Sequence, residues 1–166
     1  MWDAILREFS DSPSQTIVIR YMLENGFGVN EKGRITCNGI EIPATHIGKM
    51  INTDRRVVDA TSKRILSIPL IREIFLNLRV TPDLTKVAEH INLSVITIYP
   101  RDACQKGIVG AAVEVLTKND LSIRQIFVTD SQLSENPRLV IIVEDNPPSS
   151  VYEDLKKLPQ VRQIII

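Results

Sequence analysis

Residues 93–125 read LSVITIYPRDACQKGIVGAAVEVLTKNDLSIRQ, and how they are parsed decides the fold of the C-terminal half. Leu93 to Tyr99 alternates between apolar and polar positions, as a strand does, and Pro100 ends it. Residues 107–118 place Ile108, Ala111, Ala112 and Val115 at helical spacing. Residues 121–128 return to the strand pattern. The loop from Arg101 to Gly107 therefore joins a strand's end to a helix's start. Helix starts present unpaired N–H groups and the positive end of the helix dipole, so anions and zwitterions are readily held there. Asp102 can bind an ammonium group, and the N–H groups near Gly107, Ile108 and Val109 a carboxylate or phosphate. Ser122 lies near this loop if the two strands share a sheet. Gly110 would let another backbone approach closely. The plainer alternative is that a glycine before a helix marks only a turn.

Working outward towards the C-terminus, residues 129–136 form a polar loop. Residues 137–144 form a third strand, apolar on both faces and so central in its sheet. After a turn at 145–148, Ser149 or Ser150 caps a helix that buries Val151, Leu155 and Leu158. Pro159 stops it, and residues 161–166 make a last strand. The order βαββαβ is the split βαβ arrangement of ferredoxin-like folds.

Towards the N-terminus the periodicity changes to helical. Trp2, Ile5, Leu6 and Phe9 share one helix face. Ser12, Pro13 and Gln15 announce a second helix through a capping box, with Ile17, Val18, Tyr21 and Met22 inward and a stop at Asn25-Gly26. Asn38-Gly39 between Ile35–Cys37 and Ile40–Ile42 predicts a β-hairpin. Short helices follow over 44–51, over 54–66 with Thr53 as cap, and over 70–78. A further one opens at Thr81-Pro82, with Leu84, Val87, Ala88 and Ile91 at helical spacing. The spacing predicts an α+β chain of two domains: residues 1–92, mostly helical with a hairpin, and residues 93–166.

The helix pair 44–51 and 54–66 looks like a helix-turn-helix unit, a short helix, a tight turn and a helix with basic residues outward. Lys49, Arg55, Arg56, Ser62, Lys63 and Arg64 form the outward or end-of-helix set. Residues 49–64 hold five basic and two acidic side chains. Such residues contact phosphates and read guanine edges. The hairpin, with Lys32 and Arg34 at its base, can serve as a wing. An ordinary helical hairpin with a solvated charged face is the alternative.

The chain has 166 residues, 43% of them apolar, enough for a sizeable core. Its formal net charge is zero, which excludes a generally basic nucleic-acid binder and leaves room for a local basic face. Two cysteines, Cys37 and Cys104, make no disulfide framework. Cys37 with His46 lacks a zinc spacing, and Cys104 has no sequence-local base. No phosphate-binding glycine loop, nucleophile elbow or carboxylate cluster is present. No catalytic residue, metal or cofactor is expected. The start MWDAILREFSD is not a secretory signal, and no apolar window has membrane length, so the expectation is a soluble cytoplasmic protein.

The stretch 93–128, followed by PRLVIIVED, SVYEDLKKLPQV and a terminal strand, resembles the ACT regulatory domain over about 74 residues. The resemblance rests on the acid-to-glycine loop, the helix ending KND and the strand start LSI. The whole chain is similar to archaeal regulators of amino-acid metabolism with a C-terminal ACT domain. The resemblance implies a homodimer or higher homo-oligomer that binds a small-molecule effector at its interface, commonly an amino acid. By position it implies Asp102, Gly107 and Ser122 as contacts, with Lys106 and Ile108 beside them. The family's loop is shorter, usually with proline before the glycine where Lys106 stands here. The wider loop admits a phosphate-bearing or sugar-like effector as well as an amino acid. Taken together, the sequence predicts a regulator with DNA as an admitted partner. Its alternative is a binding protein whose helical half docks a partner or dimerises.

Overall fold

The computed structural model describes residues 2–132, 134 and 136–166. Among these, seven α-helices and two antiparallel sheets make a mixed α+β chain. None of the helices is long and apolar enough to cross a membrane. The chain divides into two compact units, one ending at Thr81 and one beginning at Pro82. Residues 82–92, read from sequence with the first half, therefore belong with the second.

The first unit opens with α1 (Trp2–Arg7) and α2 (Pro13–Glu24). The buried side of α2 is Val18, Ile19, Met22 and Leu23, whereas Ile17 is 51% exposed. The inward face is thus turned by about one residue, roughly 100°, from the predicted one. The capping box does not form, because Ser12 makes no side-chain cap. Gln15 instead accepts a 3.0 Å hydrogen bond from Arg64.

Strands β1 (Gly28–Val29), β2 (Ile35–Cys37) and β3 (Ile40–Glu41) form a meander in that order. The β2–β3 hairpin turns on Asn38 and Gly39, both at positive φ (48° and 88°), as a tight hairpin turn of the primed type requires. The Asn38 amide also grips the backbone of Val80, donating to its carbonyl at 3.0 Å and accepting from its N–H at 2.9 Å.

Helices α3 (Ala44–Met50), α4 (Arg55–Ser67) and α5 (Pro69–Asn77) complete the unit. α4 packs on α2, α3 and α5. Its buried stripe is Val58, Thr61, Ser62 and Ile65. Phe75 of α5 and Phe9 are fully buried.

The second unit contains β4 (Leu93–Pro100), α6 (Ile108–Lys118), β5 (Ile123–Val128), β6 (Leu139–Glu144), α7 (Ser149–Lys157) and β7 (Val161–Ile165). The sheet order is β5-β6-β4-β7, all neighbours antiparallel. The apolar strand β6 is central, as its two-sided hydrophobicity predicts. Leu139, Ile141 and Val143 face one core with Ile96, Ile98, Ala112, Leu116, Val151 and Leu155. Val140 and Ile142 face the other way, against Ala88, Leu84 and Phe127. Within the polar loop expected over 129–136, Leu133 and Glu135 lie outside the described residues.

The helix expected from Pro82 is absent. Residues 82–87 are irregular, and only a short 3₁₀ turn, Ala88–Ile91, forms before Asn92 adopts φ 56°. Gln125 explains the extended course. Its amide donates to the Pro82 carbonyl at 2.7 Å and accepts from the Leu84 N–H at 3.0 Å. A bulge between Ile123 and Gln125 turns Gln125 to the face carrying Ile142. Further along, the Asp83 carboxyl is held below the usual range by Thr85, whose hydroxyl faces it and whose N–H donates at 2.8 Å.

Candidate functional site

Two places in the chain present chemistry outward, one in each unit. In the first unit, α3 and α4 are joined by the turn at residues 51–54. Asn52 takes a left-handed conformation, φ 51°, which asparagine tolerates. The Thr53 N–H donates back to the Gly48 carbonyl at 2.8 Å. Asp54, not Thr53, caps α4, accepting from the Arg56 N–H at 2.7 Å. A built Cβ on Gly48 would stand 2.5 Å from the Thr53 carbonyl oxygen, so the turn closes only over a glycine. Around it lies an open depression of about 460 Å³ lined by Thr45, Gly48, Lys49, Thr53 and Arg55 among others.

Lys49, Arg55, Arg56 and Lys63 are exposed. Among the described residues, none of the four takes part in an ion pair. At about 100° per residue, Arg55, Arg56 and Lys63 fall within one arc of α4. Ser62, only about 20° round the helix from Arg55, falls at the near edge of the buried stripe. It is 1% exposed and donates to the Asp59 carbonyl at 3.0 Å, so it does not belong to the outward set. Arg64 leaves the set too. Its guanidinium binds Asp11 at 2.9 Å and the Glu8 carbonyl at 2.6 Å, and lies 4.9 Å from the centre of the Phe9 ring. It fastens the N-terminal segment to α4.

In the second unit, the loop from Arg101 to Gly107 is exposed throughout. Asp102 Oδ1 accepts from the Cys104 N–H at 2.8 Å, folding the loop into a turn. Arg101 N–H donates to the Gln160 carbonyl at 2.8 Å, which ties the loop's base to the start of β7. Gly107 precedes α6 at φ 94° and contributes no side-chain cap, so the first-turn amides of α6 are uncapped. Asp102, Lys106 and Gly107 are exposed and Ile108 half-buried. Lys106, Gly107 and Ile108 are contiguous at the helix start, whereas the Asp102 carboxylate is engaged within its own turn.

Ser122 does not join them. The strands do share a sheet, but Ile123 lies level with Val143, and Val143 with Ser94. Ser122 is therefore beside the beginning of β4, whereas the loop follows its end. Six residues at about 3.3 Å put roughly 20 Å between them. The expectation failed because sharing a sheet fixes neither direction nor register. In β5-β6-β4 the two outer strands run parallel, and like ends align.

Gly110 meets no atom of its own chain within 4 Å of a built Cβ. Gly110→Ala is therefore expected to raise the stability of the isolated chain by about 0.5–1 kcal/mol, through helix propensity alone. Chemical denaturation at low protein concentration checks this. A loss that appears only at high concentration would locate a second copy against α6.

Sequence reasoning missed Gly48 and Gln125. A glycine inside a seven-residue helix, five before Thr53, was a legible signal for close approach. Gln125 carried none, because its role depends on the bulge. No protein-family model matches the chain, and no curated protein matches it.

Proposed function

We propose that this protein is a ligand-responsive regulator of metabolism, amino-acid metabolism foremost. In this reading the second unit is an ACT-like, ferredoxin-like sensor. The first is a helix-turn-helix-like DNA-binding unit with the β2–β3 hairpin as wing. The carrying observation is the α3–α4 pair, with a turn closed over Gly48 and with Arg55, Arg56 and Lys63 exposed on one arc and, among the described residues, in no ion pair. Exposed cations in no ion pair among the described residues are available to phosphates.

The effector would sit at the Gly107 loop, as an amino acid or a phosphate- or sugar-like anion. Ser122 enters this site only through a second copy. Antiparallel pairing of two β5 edges across a two-fold axis brings the Ser122 of one copy level with the Val128 end of the other. Ile126 and Val128 on that edge are 38% and 57% exposed, which suits such pairing. No catalytic role is assigned.

Selection from a random-sequence duplex library tests the reading, followed by anisotropy titration with amino acids and sugar phosphates. The expected result is a duplex held below about 1 μM at 0.1 M salt, with one metabolite shifting its Kd fivefold or more. Retention no better than non-specific binding removes the DNA role. The protein-docking reading would then hold, supported by Ile17 and Met50, 51% and 71% exposed on α2 and α3.

A further inference from the structure

Helical geometry puts a carboxylate inside the cationic arc of α4. At about 100° per residue, Asp59 lies about 40° round from Arg55, with Lys63 and Arg56 beyond it at about 80° and 100°. Arg55 and Lys63 stand four residues before and four after it, the spacing at which ion pairs form along a helix. Among the described residues Asp59 pairs with neither. It also lines a notch of about 200 Å³ with Arg34 and Glu41. Arg34 makes no ion pair among the described residues, and Glu41 accepts from the Asn30 amide at 2.9 Å. The Ser62 hydroxyl donates to the backbone carbonyl of Asp59, not to its carboxylate. Asp59 is half-buried, and Ala60 beside it is exposed.

A helix face that met only phosphates would be weakened by a carboxylate among its cations. Over the floor of the major groove the same charge is favourable, because the amino groups of cytosine and adenine donate there. Ala60 carries only a methyl, which lets the helix come close enough for a short aspartate to reach. An ionised carboxylate only accepts. Adenine sets its N7 acceptor beside the N6 amino group and so repels a carboxylate, whereas cytosine offers its N4 amino group without an acceptor beside it.

We propose that Asp59 is a base-reading residue of α4 that selects cytosine in the major groove. This assignment rests on the DNA-binding reading of α3 and α4, and goes beyond it because the cations alone give affinity without naming a base.

Parallel selections from a random-sequence duplex library with the full-length parent, Asp59→Ala and Asp59→Asn test it, followed by titration of the selected duplex with each base at each position. The parent's motif is expected to hold one position where cytosine is favoured about tenfold over the other bases. Asp59→Ala should leave no base favoured there by more than about twofold, and Asp59→Asn should favour adenine, which an amide pairs at two atoms. The other positions and the salt slope should stay as in the parent, because no phosphate contact is lost. The melting midpoint should not fall, because no ion pair is broken. The assignment is overturned if the parent's motif has no such cytosine or if cytosine stays favoured there in either variant. It is overturned too if the preferences at all positions fade together with a lowered midpoint, since Asp59 would then be structural. A parent that holds no duplex above the non-specific level removes the DNA reading and this assignment together. A parent with a motif that Asp59 does not alter removes this assignment alone.

Discussion

Gly48→Ala is expected to destabilise the first unit by about 2–3 kcal/mol and to lower its melting temperature by about 10 °C. Glycine to alanine inside a helix ordinarily stabilises by up to about 1 kcal/mol, so propensity alone predicts the opposite sign. The reversal comes from one contact. The new methyl would stand 2.5 Å from the Thr53 carbonyl oxygen and 3.4 Å from the Arg55 nitrogen. Both are backbone atoms of the turn, so no side chain can swing away. Relief requires α3 and the turn to part, which breaks the 2.8 Å bond from Thr53 to Gly48 and unseats the fully buried Val58 and nearly buried Ile47. Differential scanning calorimetry should show the transition of the first unit moving while that of the second stays in place. A midpoint raised by the substitution would mean that the turn is looser than this geometry and that the α3–α4 angle is not fixed by Gly48.

How much of this was legible depended on whether a feature is local. The Asn38-Gly39 turn was readable because both residues must take positive φ, and few residue pairs do so readily. The central place of β6 was readable because five successive apolar residues, Leu139 to Val143, need two covered faces. The rotation of α2 was not readable. Ile17 and Leu23 are equally apolar, and tertiary packing alone decides which is covered. Residues 82–92 misled for a related reason. Their apolar spacing fits a helix, yet a side chain 43 and 41 residues further on, Gln125, holds the backbone of Pro82 and Leu84 in an extended course. Propensity yields to such a clamp.

The candidate sites divide in the same way. The Gly107 loop was legible because strand, glycine and helix are contiguous. Ser122 was misplaced because its neighbours depend on sheet direction. Ser62 was misread because a small hydroxyl in a helix can be buried at little cost by bonding the carbonyl three residues back. Arg64 looked like its outward neighbours in sequence, and only the positions of Phe9 and Asp11 show that it is structural.

That distinction governs the second large effect. Reversing Arg55, Arg56 and Lys63 to glutamate is expected to weaken DNA binding about 500-fold at 0.1 M salt. Each phosphate contact contributes roughly 0.9 of a decade at that ionic strength, so three remove about 2.7 decades. The slope of log K against log salt should flatten by the same 2.7. The fold should be spared, because none of the three is in an ion pair among the described residues and each is exposed. Glu at position 55, in the first turn of α4, is even favoured by the helix dipole. Arg64 is excluded from the set, since its reversal would place a carboxylate against Asp11 and unfasten Phe9. Arg72→Glu is the matched control. Arg72 is paired with Glu73 at 3.0 Å on α5, away from the turn, and its reversal should leave affinity and slope within twofold of the parent. A triple variant that binds with the parent's slope would show that the phosphates meet some other face. The cations of α4 would then be available to an acidic protein surface, and the helix pair would be a docking element rather than a DNA reader.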